Sequence, residues 1–173
     1  MFTYCLFCRS EKCDAIAEAI NRLGVCKAIY PKQIQHIRKQ GMPMDIEHNM
    51  LPGYVFLYSE DELDIYTIRK TPGVLKSLGD QDTGFRLMGG DEQFALMLRQ
   101  RGGVIGKTQV YAEGDRIRLK EGSFAGVEAE ILKVNRRNTR MQIRLTFAGN
   151  PVCPWVEYEI VEPLNASECV FEE

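Results

Sequence analysis

At 173 residues the chain has room for one ordinary domain or two small ones, and too little for most multi-substrate enzymes. Its 45% hydrophobic and 27% charged residues, with 22 basic side chains against 24 acidic ones, describe a soluble globular protein and exclude disorder, collagen and a membrane protein. The net charge of −2 hides an asymmetry: residues 111–150 carry eight basic groups against five acidic, whereas residues 151–173 carry six acidic groups and no basic one, so a local positive field leaves nucleic acid open as a partner.

Residues 3–8 read as an opening strand. From Ser10 to Leu23, Ile16, Ala19, Ile20 and Leu23 fall at helical spacing, with Ser10 available as N-cap and Gly24 as the stop. Cys26 to Tyr30 is a short strand closed by Pro31. Segments 33–38 and 44–49 flank Lys39-Gln40-Gly41 and suggest a hairpin with a polar, basic tip. Leu51-Pro52-Gly53-Tyr54 turns into the most apolar strand of the chain, 54–58, which is a quarter of the roughly 20 residues that a membrane span needs. Alternation puts Tyr54 and Phe56 on one face of it and Val55 and Leu57 on the other. Glu60 to Lys70 is expected as a second helix, its acidic start complementing the helix dipole. Thr71-Pro72-Gly73 breaks it, 74–78 returns as a strand, and a third helix runs from about Asp91 to Arg101 behind Gly89-Gly90.

The glycine-rich run Arg101-Gly102-Gly103-Val104-Ile105-Gly106-Lys107 is a composition break that reads as a flexible linker. Beyond it the pattern changes to period two. Ile117 and Leu119 alternate with Arg116 and Arg118; Met141, Ile143, Leu145 and Phe147 alternate with Gln142, Arg144 and Thr146; Val156, Tyr158 and Ile160 alternate with Glu157 and Glu159. Turn signals at Glu121-Gly122, Asn135 to Thr139 and Gly149-Asn150 separate them, which describes a small all-β barrel of about fifty residues. The domain expectation is therefore 1–101, a linker at 102–109, a barrel at 110–163 and an acidic tail at 164–173.

The N-terminus has neither a basic region nor an apolar segment of signal-peptide length, so the chain is expected in the cytoplasm. Six cysteines there do not suggest a disulfide framework. Cys5 and Cys8 form a CxxC with Cys13 following, and zinc has to be weighed. On a strand the first two point to opposite sides, and no second pair follows, so buried thiols acting as small hydrophobes are the default. No metal and no cofactor is expected. No Walker loop, GxSxG, HExxH or dinucleotide fingerprint is present, and neither histidine, His36 or His48, has catalytic company, so no enzyme is expected.

Gly114-Asp115-Arg116-Ile117-Arg118-Leu119, then Gly122-Ser123-Phe124-Ala125-Gly126, then the strand Ala129 to Val134, match the KOW motif. With Tyr4 to Phe7, Leu51-Pro52-Gly53-Tyr54-Val55-Phe56 and Arg69-Lys70-Thr71-Pro72-Gly73-Val74, the chain over residues 3–163 resembles the NusG family of transcription elongation factors. The resemblance implies an α+β N-terminal domain, an antiparallel sheet with flanking helices, followed by a KOW barrel. It implies a factor that binds the clamp helices of RNA polymerase and suppresses pausing and termination. Carried over by position, the polymerase pocket would comprise Phe7, Leu51, Tyr54 and Phe56, an exposed cluster suited to a partner helix; packing in the domain's own core is the competing account. Arg69, Lys70 and Thr71 would face the non-template DNA strand, or serve only as a solvated helix end. The barrel would recruit structured RNA, the ribosome or Rho. Its cations Lys120, Lys133, Arg136, Arg137, Arg140 and Arg144, with Ser123, suit RNA phosphates, although a charged hairpin tip is also an ordinary solvated feature. Phe2-Thr3-Tyr4 in place of a frequent tryptophan, Ala129 in place of a frequent glycine, and the arginine-rich loop suggest a specialised member of the RfaH or LoaP kind. The alternatives are an RNA- or ribosome-binding module without a direct polymerase role, and a structural dimer in place of the expected monomer.

Overall fold

A computed structural model describes residues 1–121 and 123–162; the expected barrel end at 163, the acidic tail and Gly122 lie outside the described residues. β1 (Phe2–Cys8) leads through a 3-10 turn, Ser10–Lys12, into α1 (Cys13–Leu23). Ser10 makes no capping bond, since the helix proper starts three residues later. Its buried stripe is Cys13, Ile16, Ala17 and Ile20, one step round from the expected one, and Leu23 is exposed at the helix end. Gly24 stops it in the left-handed region (φ 70°), with its N–H donated to Asn21 O.

β2 (Lys27–Ile29) follows, held to α1 by the Asn21 side chain, which accepts from Ala28 N at 2.7 Å and donates to Ala28 O at 3.0 Å. β3 (Lys32–Lys39) and β4 (Met42–Asn49) form a long hairpin turned by Gln40 and Gly41, both at positive φ as a two-residue primed turn requires. β5 (Tyr54–Ser59) is buried throughout. β6 (Val74–Leu78) completes an antiparallel sheet in the order β2-β5-β1-β6.

The helix expected over 60–70 is a correction. Only Ile65–Ile68 (α2) is helical, because the residues before it are otherwise engaged. Asp61 N–H is donated to Ser59 Oγ and Leu63 N–H to Tyr4 OH, so the Asp64 side chain caps a single turn through Thr67. The acidic trio therefore precedes the helix and does not complement its dipole. α3 (Gly89–Gln100) starts two residues earlier than expected.

Alternation on β5 splits the front domain into two apolar layers. Val55 and Leu57 pack with α1, Leu6 and Ile20. Tyr54, Phe56 and Tyr58 face the other way, towards α3, which is fastened there by the Tyr58 hydroxyl donating to Ala95 O at 2.7 Å. The glycine-rich segment at 102–109 carries β7 (Val104–Ile105), which pairs in parallel with β3 and buries Ile105.

β8 (Thr108–Glu113), β9 (Arg116–Leu119), β10 (Ala129–Asn135), β11 (Arg140–Phe147), β12 (Asn150–Val152) and β13 (Trp155–Ile160) make the six-stranded barrel sheet, in the order β10-β11-β13-β8-β9 with β12 paired to β11. Met141, Ile143, Leu145 and Phe147 point inward as their alternation requires. Phe124 is buried beside them. The β13 pattern holds less well: Ile160 is exposed at the rim and Glu157, expected outside, is buried.

Candidate functional site

The face formed by Tyr54 and Phe56 owes its position to the turn before it. Gly53 has φ 94°, and a methyl there would stand 2.9 Å from the Phe7 ring, so only glycine lets β5 begin against β1. Phe7 pairs in register with Tyr54, and their rings meet edge to face at 5.3 Å. Leu51 lies beneath the same turn, buried.

These four residues were expected as an open socket. Phe7 is half-buried, with Lys76 Nζ 5.8 Å from its ring centroid, but Leu51, Tyr54 and Phe56 are 1%, 6% and 0% exposed. Their cover is shared between α3, whose Phe94 ring lies 6.1 Å from that of Phe56, and the barrel. Phe147, at the end of β11, inserts between Tyr54, Phe56 and Phe94, with ring centroids 6.0, 5.2 and 5.7 Å away. Edge-on aromatic contacts of this kind contribute about 0.5–1.5 kcal/mol each beyond the area they bury.

Polar bonds frame the plug. Ala148 N–H is shared between the two Asp91 carboxylate oxygens at 3.1 and 3.2 Å. His36 N–H is donated to Glu157 Oε1 at 3.0 Å, which accounts for the burial of that carboxylate. The Gln33 amide donates to Trp155 O and accepts from Glu157 N, both at 2.9 Å. Gly90 and Gly126 meet backbone to backbone: a methyl on Gly126 would lie 2.6 Å from Gly90 Cα.

Burial pushes the Asp91 carboxyl above its ordinary value, and the Ala148 N–H bond draws it part of the way back. A carboxyl raised in the docked state contributes its stability fully below the ordinary value of about 3.9 and loses it as the pH rises through the raised one. Asp91→Asn, neutral throughout, is expected to flatten that segment of the stability profile; thermal melts of both chains from pH 3.5 upward read the difference, at roughly the scale of the carboxylate range.

The expected DNA segment lies away from this seam. Arg69 packs its guanidinium 5.9 Å from the ring centroids of both Tyr66 and Phe85, Lys70 is exposed, and Thr71 closes the turn by donating its N–H to Ile68 O. The expected RNA cations are dispersed. Lys120 Nζ donates to Gln109 Oε1 at 2.9 Å and Ser123 Oγ to Lys120 O at 2.6 Å, beside the 102–109 segment. Arg136 donates to Asp115 O and Arg144 pairs with Glu130 at 2.9 Å. Lys133 and Arg137 are exposed, while Arg140 is drawn to the seam beside Trp155.

Cys5 belongs to the seam layer and Cys8 and Cys13 to the α1 layer. Burial raises all three thiols, Cys8 up to about 12, which keeps them protonated small hydrophobes. Among the described residues no group of three or more His, Cys, Asp or Glu could hold a metal ion, and no helix is long and apolar enough to cross a membrane.

Sequence reasoning missed Phe94, Phe147, Asp91, Glu157 and Trp155 as a contact set. The only local sign was Phe147 itself, the one aromatic among the four inward residues of β11 and the last of them.

An α+β front domain joined to a small barrel, with an aromatic face between them, is the architecture of the described residues. Residues 3–93, just over half the chain, match the family described as "NusG: Transcription termination factor nusG". The chain belongs to the NusG family. Relatives named "Transcription termination/antitermination protein NusG" from Streptococcus pyogenes serotypes M3 and M1 are each 27% identical over 154 residues, covering 84% of this chain and 83% of theirs. A solved structure titled "Domain interaction in Thermotoga maritima NusG" is similar in fold, with 17% identity and a TM-score of 0.50, covering 90% of this chain and 93% of that one.

Proposed function

We propose that the chain is a transcription elongation factor that grips the clamp helices of RNA polymerase with Phe7, Leu51, Tyr54 and Phe56, and so suppresses pausing and termination. One observation supports this above the rest: what α3 leaves uncovered of the Tyr54–Phe56 face is closed by a second domain, through Phe147. A face sealed by a separable domain becomes a socket once that domain leaves. The barrel then acts as a cover at rest, and a partner helix competes with Phe147 for the same aromatic ring set.

Arg69, Lys70 and Thr71 remain free to meet the non-template strand while the front domain sits on the enzyme. After release the 102–109 segment serves as tether, holding the barrel at high effective concentration near a second partner. Phosphates of structured RNA suit Lys120, Ser123, Lys133, Arg136, Arg137, Arg140 and Arg144; Rho and the ribosome are the other partners considered. The factor works in the cytoplasm, as a monomer and without a cofactor or catalytic step.

The test is capture of the full chain by an immobilised clamp-helix fragment. Binding is expected, and Phe56→Ala is expected to weaken it about tenfold or more, as a central aromatic anchor does. The near-complete burial of Leu51 and Phe56 favours a second reading, a barrel module on an inert scaffold. That reading gains if the fragment captures neither the parent nor a variant with the barrel released.

A further inference from the structure

We propose that the cleft between the β4–β5 turn and the start of β13 is a subsite for one unpaired nucleotide of a single-stranded nucleic acid, its base stacked on Trp155 and its phosphate held by Arg140. The inference rests on the proposed role of the barrel in binding RNA, and it places part of that role across the domain seam.

The cleft has a volume of about 400 Å³, at the small end of ligand pockets and too small for a helix. The barrel side supplies Trp155, Arg140 and Cys153; the front domain supplies His48, Asn49 and Pro52. Trp155, the chain's single tryptophan, is 37% exposed although it stands at a domain interface. An indole left open there has a face to offer. The Arg140 guanidinium lies 5.9 Å from the indole ring centroid.

Apart from that contact with the indole, the charge of Arg140 is unpaired among the described residues. Its cross-strand neighbour is Glu157, whose Oε1 accepts from His36 N–H while its Oε2 is buried without a hydrogen-bond partner. Its Nε is buried with no hydrogen-bond partner. A buried guanidinium donor left unpaired carries a desolvation cost, so a phosphate arriving at Arg140 relieves it, against the repulsion of the adjacent Glu157 carboxylate. A flat aromatic beside a guanidinium is the pair that proteins use for unstacked bases and their phosphates. Polar edges complete the site: Asn49 Oδ1 accepts from Lys32 Nζ at 2.9 Å, which leaves its amide donors available, and His48 stands next to it. Gln33 is spent on the β13 backbone and contributes only the wall.

Because the walls come from both domains, the subsite exists only while the barrel is docked. A bound nucleotide then favours docking, and by linkage a helix that displaces the barrel must expel the nucleotide.

The single tryptophan makes the test direct. The full chain is titrated with six-nucleotide RNA and, separately, DNA of the same sequence, while Trp155 fluorescence is read. Saturable quenching is expected, and whichever strand quenches at lower concentration identifies the source. By anisotropy of labelled oligonucleotide, Trp155→Leu and Arg140→Gln are each expected to weaken binding about tenfold. His48→Ala, on the other domain, should weaken it severalfold, and a clamp-helix fragment that binds should restore the fluorescence. The proposal falls if quenching is absent, if Trp155→Leu binds like the parent, or if His48→Ala has no effect. It also falls if polyglutamate of matched charge quenches equally. In those cases, loss of oligonucleotide affinity in Arg136→Ala/Arg137→Ala would leave the arginine-loop contact standing, whereas no binding by any chain would remove both.

Discussion

Replacing Phe147 by alanine is expected to open the molecule. Truncating a fully buried phenylalanine costs about 3–5 kcal/mol, and here the ring's contacts with Tyr54, Phe56 and Phe94 all cross the seam. If about 3 kcal/mol of that falls on docking, the docking equilibrium shifts roughly a hundredfold. The immediate reading is hydrogen exchange. Ala148 N–H, held by Asp91, and His36 N–H, held by Glu157, should lose protection, whereas β1 and β5, the two central strands of the front sheet, should keep theirs. A second reading is affinity for the clamp-helix fragment. A closed population lowers apparent affinity in proportion to its excess over the open one, so Phe147→Ala should bind more tightly than the parent, by up to the same factor. Unchanged exchange at Ala148 would mean that the ring is not what holds the domains together. Weaker binding by an opened chain would mean that the aromatic face is core and not socket.

Much of each domain was legible because the signals are local. The strict alternation of Met141, Ile143, Leu145 and Phe147 required a strand with one wet face, and the structure has it. The same rule separated Tyr54 and Phe56 from Val55 and Leu57, and they do line different layers. Local signals also misled where a tertiary bond outranked them. Glu60 to Lys70 has a helical start, but Tyr4 OH and Ser59 Oγ engage the amides of Leu63 and Asp61, and one turn is all that survives. Leu23 continues a helical stripe by spacing, yet the stripe turns out of the sheet before reaching it.

The relation between the domains was not legible, for a physical reason. Glu157 looks like an outward residue on an alternating strand, and it is one. What buries it is His36 N–H, which lies 121 positions earlier. Arg140 sits three and four positions from Arg137 and Arg136 and reads as their companion, but it lies on the strand proper while they ride the turn. A cluster in sequence thus becomes a scatter in space. The glycines tell the same story: Gly90 read as the preface to a helix and Gly126 as part of a KOW turn, and each has its reason for being glycine in the other.

That pair provides the sharper experiment, because Gly90→Ala separates the seam from both domains. Gly90 lies in the first turn of α3 at an ordinary backbone angle, so alanine is locally favourable, by up to about 1 kcal/mol in a helix. Across the seam the outcome is opposite. The added methyl would fall inside the van der Waals shell of the Gly126 carbonyl oxygen and 2.7 Å from its carbon. Backbone cannot rotate away as a side-chain tip can, so the helix start or the barrel turn must move. Overpacking against rigid structure costs about 1–3 kcal/mol and occasionally more. No atom of the socket or of Phe147 is altered. Calorimetry of the full chain should therefore show a front-domain transition at or above that of the parent, and a barrel transition that has come apart from it and moved down. Clamp-helix binding should rise, as for Phe147→Ala, without any damage to the barrel core. Gly126→Ala should reproduce the result from the other side, since its methyl meets Gly90 Cα at 2.6 Å. A single, undisturbed transition in both variants would show that the two backbones do not meet, and with them would go the reading of the barrel as a cover.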